Sequence, residues 1–194
     1  MIYKFFKNIL HFLTHIFFRI KVYNKELEPL SGPVILCSNH ISLLDPILIG
    51  SPLKRQVKFM AKESIFKVPI IGQIVKLIGS FPVNRDNVDI SAIKMSIKIL
   101  KNGEVLGIFP EGSRYATEAK SGFVSLALKT KATVFPVHII CNGNVYFFKK
   151  IKVIYGKPIT YEELDFKEGT QEDIKRVSSQ IFDRILTLNE DSIF

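Results

Sequence analysis

The sequence predicts a single α/β domain in which helices flank a buried central sheet. Two observations lead to this prediction. Short apolar runs, typical of buried strands, alternate with segments whose apolar residues recur at helical spacing. The 194 residues are 47% hydrophobic and 23% charged, which is enough apolar material for one core and does not fit a multispanning membrane protein.

Strands and helices are predicted in alternation along most of the chain. The predicted strands cover residues 34–38, 57–61, 80–84, 105–109, 133–140 and 152–155. The predicted helices cover residues 45–49, 90–100, 123–131 and 170–188. Asp45 before Pro46 predicts a helix N-cap with proline at the first helical position, and Gly103 stands where the following long helix should end.

The N-terminal segment predicts an amphipathic helix with a wide apolar face. Residues 1–20 hold five of the 16 phenylalanines, and two Lys, two His and one Arg are spread along them, which argues against a spanning helix. We expect residues 1–22 to lie in the membrane interface, with the apolar face among acyl chains and the cations among phosphates, and residues 23–194 to form the domain. The alternative is a helix that covers the domain's own core.

Net charge and cysteine usage narrow the classes of partner. The formal charge is +9, from 27 Lys and Arg against 18 Asp and Glu, which favours anionic partners such as lipid headgroups, phosphorylated metabolites, an acidic carrier protein or nucleic acid. Nucleic acid is not expected, because the chain has no recognisable recognition helix or RNA-binding aromatic motif. Cys37 and Cys141 stand in apolar runs with no CxxC pattern, which predicts buried reduced thiols and no metal site.

A histidine and an aspartate follow the first buried strand. His40 comes just beyond residues 34–38, and Asp45 stands five residues later at a predicted helix start. Imidazole changes charge near neutral pH, so it can remove a proton from a hydroxyl, while a carboxylate on its other nitrogen fixes the tautomer. Two residues alone leave the plainer alternative open, in which Asp45 only caps the helix and His40 is an ordinary loop histidine.

A second polar cluster follows the strand at 105–109. Arg114 offers a planar fork for a phosphate, Gly112 permits close backbone approach, and Glu111 can accept from a substrate hydroxyl or orient Arg114. Both clusters should reach the carboxyl edge of the sheet, where α/β proteins usually bind ligands. The plainer alternative is a turn at a strand end with a surface Glu–Arg pair.

Together these motifs resemble the lysophosphatidic acid acyltransferase family of glycerolipid acyltransferases. The family's hallmark, Asn-His followed by Asp, is met at Asn39, His40 and Asp45. Three further blocks are similar in the family's order: residues 79–85 ending in Arg85, residues 109–114 with Ser113 in place of threonine, and residues 134–137. Residues 61–66, which include Lys62, are similar to the segment that connects the first two blocks.

The resemblance implies a mixed central β-sheet flanked by helices, as in glycerol-3-phosphate acyltransferase, and a specific reaction. The family transfers a fatty acyl group from acyl-CoA or acyl-carrier protein to the free sn-2 hydroxyl of lysophosphatidic acid, giving phosphatidic acid. His40 would be the general base and Asp45 would orient it. Glu111, Gly112 and Arg114 would hold the acceptor's glycerol phosphate. Arg85 and Lys62 are further candidates for that anion, and no metal or redox cofactor is expected.

Two alternatives to this reaction stay open from the sequence. One is an acyltransferase for another acceptor, such as glycerol 3-phosphate or a lyso-aminolipid. The other is a noncatalytic module that binds lipid with the same fold. In each case we expect a peripheral or monotopic protein on the cytoplasmic face of a membrane.

Overall fold

Seven strands form one mixed sheet in this computed structural model, which describes residues 2–84, 89–112, 121–143, 145, 148–166 and 169–191. The strands are β1 (Arg19–Tyr23), β2 (Val34–Ser38), β3 (Val57–Lys62), β4 (Phe81–Val83), β5 (Val105–Ile108), β6 (Thr133–Cys141) and β7 (Lys150–Tyr155). The helices are α1 (Ile2–Phe17), α2 (Asp45–Gly50), α3 (Ile71–Leu77), α4 (Ile90–Lys101), α5 (Gly122–Thr130) and α6 (Gln171–Thr187). Short 3-10 helices cover Lys25–Leu27, Glu63–Lys67 and Glu162–Leu164.

The strand order across the sheet is β1-β7-β6-β2-β5-β3-β4. Five adjacent strands run parallel to one another: β6, β2, β5, β3 and β4. Strand β7 runs antiparallel to β6 and pairs in parallel with β1. The five parallel strands therefore all end at one edge, which we call the carboxyl edge. The predicted α/β fold with a mixed sheet is confirmed, and the loops after β2 and β5 meet at this edge.

The core lies in two layers, one on each face of the sheet. Ile35 and Cys37 of β2 face a cluster formed with α4, α5 and α6, and Val34 and Leu36 face a second cluster formed with α2. All five residues of β2 are buried, as expected for a central parallel strand covered on both faces. Both cysteines are free thiols, but Cys141 is only half-buried, so the expected burial holds for Cys37 alone.

The predicted strands and helices are present, with ends that differ by at most two residues. Apart from the short 3-10 helices, one α-helix and one strand were not predicted. One is α3, whose apolar run is short. The other is β1, which shows that the N-terminal helix is shorter than the predicted segment 1–22. The helix ends at Phe17, and Arg19–Tyr23 joins the sheet because its side chains alternate: Ile20 and Val22 pack on the α2 side.

Polar residues of helix α1 contact the α2 region, and several apolar residues of its described part are exposed. Lys7 Nζ donates to the Leu53 carbonyl, and His11 Nδ1 lies 3.1 Å from Ser51 Oγ. The exposed apolar side chains of the helix are Ile9, Phe12, Leu13, Ile16 and Phe17. These exposed apolar residues therefore do not cover the domain's core, and the expected contact of the helix with a membrane stays a prediction. Within the described ranges, no helix is both long and apolar enough to cross a bilayer.

Gly107 of β5 is predicted to be a position where any side chain destabilises the fold. A Cβ at Gly107 would overlap the Phe59 ring, which lies across it from β3. We expect Gly107→Ala to lower the free energy of unfolding by about 1–3 kcal/mol, the usual cost of overpacking, as measured by urea denaturation. Gly122→Ala is the matched control, because a Cβ there meets no atom within 4 Å. Equal stability of the Gly107→Ala variant and the parent would contradict this account.

Candidate active site

The two predicted motifs meet at the carboxyl edge, because the strands that precede them are neighbours. His40 follows β2 and Glu111 follows β5, and these strands pair in parallel. The main-chain N–H of His40 donates to Glu111 Oε2 at 2.8 Å. His40 and Glu111, which are 71 positions apart in the sequence, are thus in direct contact.

Asp45 holds His40 by one carboxylate oxygen. Asp45 Oδ2 lies 2.7 Å from His40 Nδ1 and also accepts from the main-chain N–H groups of Ile41 and Ser42, each at 2.7 Å. The predicted N-cap is wrong: Leu44 is the N-cap, and Asp45 is the first residue of α2 with its carboxylate turned back towards the preceding loop. The carboxylate is fully buried, and its Oδ1 has no hydrogen-bond partner in the part of the chain that the structure describes.

The His40 ring has a defined orientation and one nitrogen left for chemistry. Because an ionised carboxylate can only accept, the bond to Asp45 places a proton on Nδ1 and leaves Nε2 as an acceptor. The ring stacks on Phe109 with centroids 4.1 Å apart, and Phe109 stacks on Phe59 at 5.8 Å. The side chain of His40 is 8% exposed, and no described residue bonds its Nε2. The plainer alternative, a loop histidine unconnected to Asp45, is wrong.

Asn39 anchors the His40 loop to β6, a role that sequence reasoning did not assign. Its Nδ2 donates to the Ile139 carbonyl at 2.9 Å, and its Oδ1 accepts from the Ile139 N–H at 2.8 Å. The side-chain amide thereby imitates one more residue of the β2–β6 ladder. The signal available in the sequence was the Asn-His pair itself, since an asparagine amide can satisfy both backbone groups of a neighbouring strand.

Glu111 is buried and its carboxyl group has a strongly raised pKa. The turn Phe109–Gly112 is closed by a bond from the Gly112 N–H to the Phe109 carbonyl at 2.9 Å, with Pro110 in the second position. Gly112 has a φ of 71°, which glycine adopts without strain. Burial raises the pKa of Glu111 to about 7, the charge of Asp45 raises it too, and the bond from the His40 N–H opposes both. Glu111 therefore positions His40, and the predicted contact with substrate stays a prediction.

The structure describes only some of the residues predicted to bind phosphate. Lys62 is exposed at the end of β3, next to Val83 of β4, and so lies on the carboxyl edge. Arg85 and Arg114 lie outside the described residues. Among the residues that the structure describes, no group of three or more His, Cys, Asp or Glu side chains could hold a metal ion.

A mostly apolar cavity of about 480 Å³ adjoins the Glu111 turn. It lies between the sheet and helices α4 and α5, and Phe109, Pro110 and Gly112 form part of its wall. Polar groups of Asn84 and Asp89 also line it. The cavity shares Phe109 with the His40 stack, which makes it the apolar space next to the site.

The sequence of this chain is similar to those of known acyltransferases. The sequence model of the acyltransferase family matches residues 19–140. The 1-acyl-sn-glycerol-3-phosphate acyltransferase of Bacillus subtilis is 37% identical over 163 residues, which cover 81% of this chain and 82% of that protein. The enzyme of the same name from Streptococcus pneumoniae is 30% identical over 163 residues, or 81% of this chain and 61% of its own length.

A solved structure shows the same fold. The crystal structure of the 1-acyl-sn-glycerophosphate (LPA) acyltransferase, PlsC, from Thermotoga maritima has a TM-score of 0.72 and 23% identity, over 96% of this chain and 80% of that one. This α/β domain has a buried His–Asp pair at its carboxyl edge, and the family model matches residues 19–140. The chain therefore belongs to the acyltransferase family. Its relatives named above confirm the resemblance to the lysophosphatidic acid acyltransferase family.

The raised pKa of Glu111 predicts a pH-dependent stability that Glu111→Gln removes. Unfolded glutamate has a pKa of about 4.3, so between about pH 4.5 and 7 the unfolded state loses its proton before the folded state does. The contribution of Glu111 to the free energy of unfolding therefore falls with rising pH across this range. Gln can still accept from the His40 N–H and does not titrate. We expect the free energy of unfolding of the variant, relative to that of the parent, to rise by about 1–3 kcal/mol between about pH 4.5 and 7. Urea denaturation at each pH measures both proteins, and the same pH dependence in the two would contradict the prediction.

Proposed function

We propose that the protein transfers a fatty acyl group from an acyl thioester to the sn-2 hydroxyl of lysophosphatidic acid. The observation that carries the proposal is the His40–Asp45 pair at 2.7 Å, with Nε2 of His40 left as an acceptor at the carboxyl edge. The acceptor is inferred from the names of the relatives, which are 1-acyl-sn-glycerol-3-phosphate acyltransferases.

The proposed reaction is a direct transfer with His40 as general base. Nε2 removes the proton from the acceptor hydroxyl while the hydroxyl oxygen attacks the thioester carbonyl, which forms the new C–O bond and a tetrahedral oxyanion. The C–S bond then breaks, and the leaving thiolate takes the proton from the imidazolium. Asp45 stabilises the imidazolium between these steps, because its carboxylate contacts Nδ1. The scheme needs no covalent acyl-enzyme and calls on no metal or redox cofactor.

The neighbouring groups support the binding of an anionic, acylated acceptor. Lys62 lies on the carboxyl edge and can contact the acceptor's phosphate, and we assign the same role to Arg85 and Arg114 from the family resemblance. A protonated Glu111 adds no negative charge beside that phosphate, and its pKa of about 7 keeps a substantial neutral fraction at physiological pH. The cavity beside the Phe109–Gly112 turn offers apolar space of about 480 Å³ for an acyl chain.

The outward apolar face of α1 supports a position on a membrane surface. Phe12 is 65% exposed and Ile16 is 52% exposed, although the polar side of the same helix is docked on α2. A soluble domain gains nothing by exposing this face, whereas acyl chains would bury it. The free thiols Cys37 and Cys141 fit a reducing compartment, which supports the cytoplasmic face.

Removing the proposed base is predicted to abolish transfer without unfolding the protein. We expect His40→Ala to lower kcat at least about 1,000-fold, the upper part of the range for general base catalysis. The assay follows a radiolabelled acyl group from acyl-CoA or acyl-carrier protein to lysophosphatidic acid, glycerol 3-phosphate and a lyso-aminolipid. His138→Ala is the matched control, because the His138 ring bonds only the Leu188 carbonyl among the residues described. Transfer to no acceptor by the parent would instead indicate a noncatalytic lipid-binding module, and equal rates in the parent and His40→Ala would contradict His40 as the base.

Charges on the outer face of α1 are predicted to detach the protein from vesicles. We expect Phe12→Glu with Ile16→Glu to lower sedimentation with phosphatidylglycerol-containing vesicles at least about tenfold, since each apolar side chain contributes about 1.5–3 kcal/mol when buried. Both side chains are exposed, so the circular dichroism melt should not change. Met95→Glu with Leu186→Glu is the control, because these exposed apolar residues lie on α4 and α6. Undiminished sedimentation of the α1 variant would show that another surface holds the membrane.

A further inference from the structure

Four cations form a square array on one face of β1 and β7. The two strands pair in register, with Arg19 opposite Lys150 and Lys21 opposite Lys152. These four residues are called the β1–β7 array. They alternate with Ile20, Val22, Ile151 and Val153, which pack into the cluster on the α2 side, so the array occupies the opposite face of the sheet.

The array is electrostatically unfavourable by itself. Like charges directly opposite each other on paired strands destabilise a sheet. Glu190 forms an ion pair with Lys152. Within the described part of the chain, no carboxylate lies within ion-pair distance of Arg19, Lys21 or Lys150. An anion bound across the two strands would turn this repulsion into attraction.

The array lines a concave groove of about 900 Å³. The groove is also lined by Lys149, which adds a fifth cation, and by Ile140, Asn142 and Phe148. Phe148 is 68% exposed, so an aromatic face is available to a ligand at the rim. A groove with several cations and an exposed aromatic ring suits a discrete phosphorylated ligand, because phosphates bind the cations and a base can stack on the ring.

Strand β6 connects the groove to the His40 site. Ile139 holds the Asn39 amide, and the groove is lined by Ile140, the next residue of β6, and by Asn142, which follows the end of the strand. Lys149 and Asp45 act in opposite directions on the pKa of Cys141, so the thiol lies within electrostatic reach of both. Neighbouring strands are about 4.8 Å apart, which puts β7 about 10 Å and β1 about 14 Å from β2. These are distances within the sheet, and the groove opens on the face away from α2, so a flexible pantetheine arm would pass over the carboxyl edge to reach His40.

We propose that the β1–β7 groove binds the phosphorylated end of the acyl donor, a phosphopantetheine thioester whose acyl end reaches His40. This inference rests on the proposed acyl transfer. The phosphopantetheine can come from coenzyme A, whose adenosine phosphates would meet the array and Phe148, or from an acyl-carrier protein. A lipid headgroup is the rival, because the Phe148 N–H bonds the Phe17 carbonyl and so brings the rim near the end of α1. The concave shape, on the sheet face away from α2, favours the donor.

The test reverses the charge of one in-register pair. The groove variant, Arg19→Glu with Lys150→Glu, changes exposed residues only. The control variant, Lys94→Glu with Lys175→Glu, makes the same change in net charge at exposed residues of α4 and α6. Titration calorimetry measures the binding of coenzyme A and of phosphopantetheinylated carrier protein separately, without turnover. Steady-state assays in neutral detergent micelles then give KM for the donor and for the acceptor.

We expect the groove variant to weaken donor binding about 10- to 100-fold, as the loss of one or two charged hydrogen bonds implies. KM for the donor should rise in parallel, with kcat and the acceptor KM unchanged, and the control should match the parent. Binding of coenzyme A alone or of the carrier protein alone identifies the source, and either supports the inference. No donor binding by the parent, unchanged binding by the groove variant, equal loss in the control, or loss of anionic-vesicle binding alone would overturn it. If the parent binds the donor at the groove but transfers no acyl group, the proposed function fails and the groove assignment stands.

Discussion

The site depends on one carboxylate oxygen that accepts three short hydrogen bonds. Asp45 Oδ2 bonds the His40 ring and the main-chain N–H groups of Ile41 and Ser42. The same atom therefore fixes the shape of the loop and the tautomer of the base. Because Asp45 is also the first residue of α2, the loop is closed onto a helix whose Leu48 and Ile49 are in the core. The orientation of the imidazole is thus maintained by the packing of α2 against the sheet.

His40 is held from three directions, and each hold comes from a different neighbour. Asn39 ties the loop to β6, Glu111 ties the His40 backbone to the end of β5, and Phe109 stacks on the ring. These contacts join the strands on both sides of β2, so the site is built where three parallel strands end together. The site therefore forms only when these strands are assembled in the sheet. This is why His40 and Glu111, which lie more than 70 positions apart in the sequence, are in contact.

The elements that could be predicted from the sequence are those that depend on a short stretch of neighbouring residues. The buried run of β2 and the C-terminal helix α6 follow from composition and spacing, and both are present. The contacts by which α1 docks on the domain, such as Lys7 with the Leu53 carbonyl, could not be predicted, because periodicity shows two faces and does not say which one the domain contacts. The role of Asp45 differs from the predicted N-cap for a similar reason. An aspartate before proline fits a helix cap, but its carboxylate turned instead towards donors that only the folded loop places nearby.

Two buried carboxyl groups flank His40, and they accept different numbers of hydrogen bonds. Asp45 accepts from two main-chain N–H groups and the imidazole, all through one oxygen. Glu111 accepts a single main-chain N–H, and burial together with the charge of Asp45 raises its pKa to about 7. One charge beside the base is enough to stabilise an imidazolium, whereas a second would repel a phosphate-bearing acceptor. The unequal hydrogen bonding of the two carboxyl groups is therefore consistent with the proposed phosphate-bearing acceptor, and it keeps the imidazole oriented.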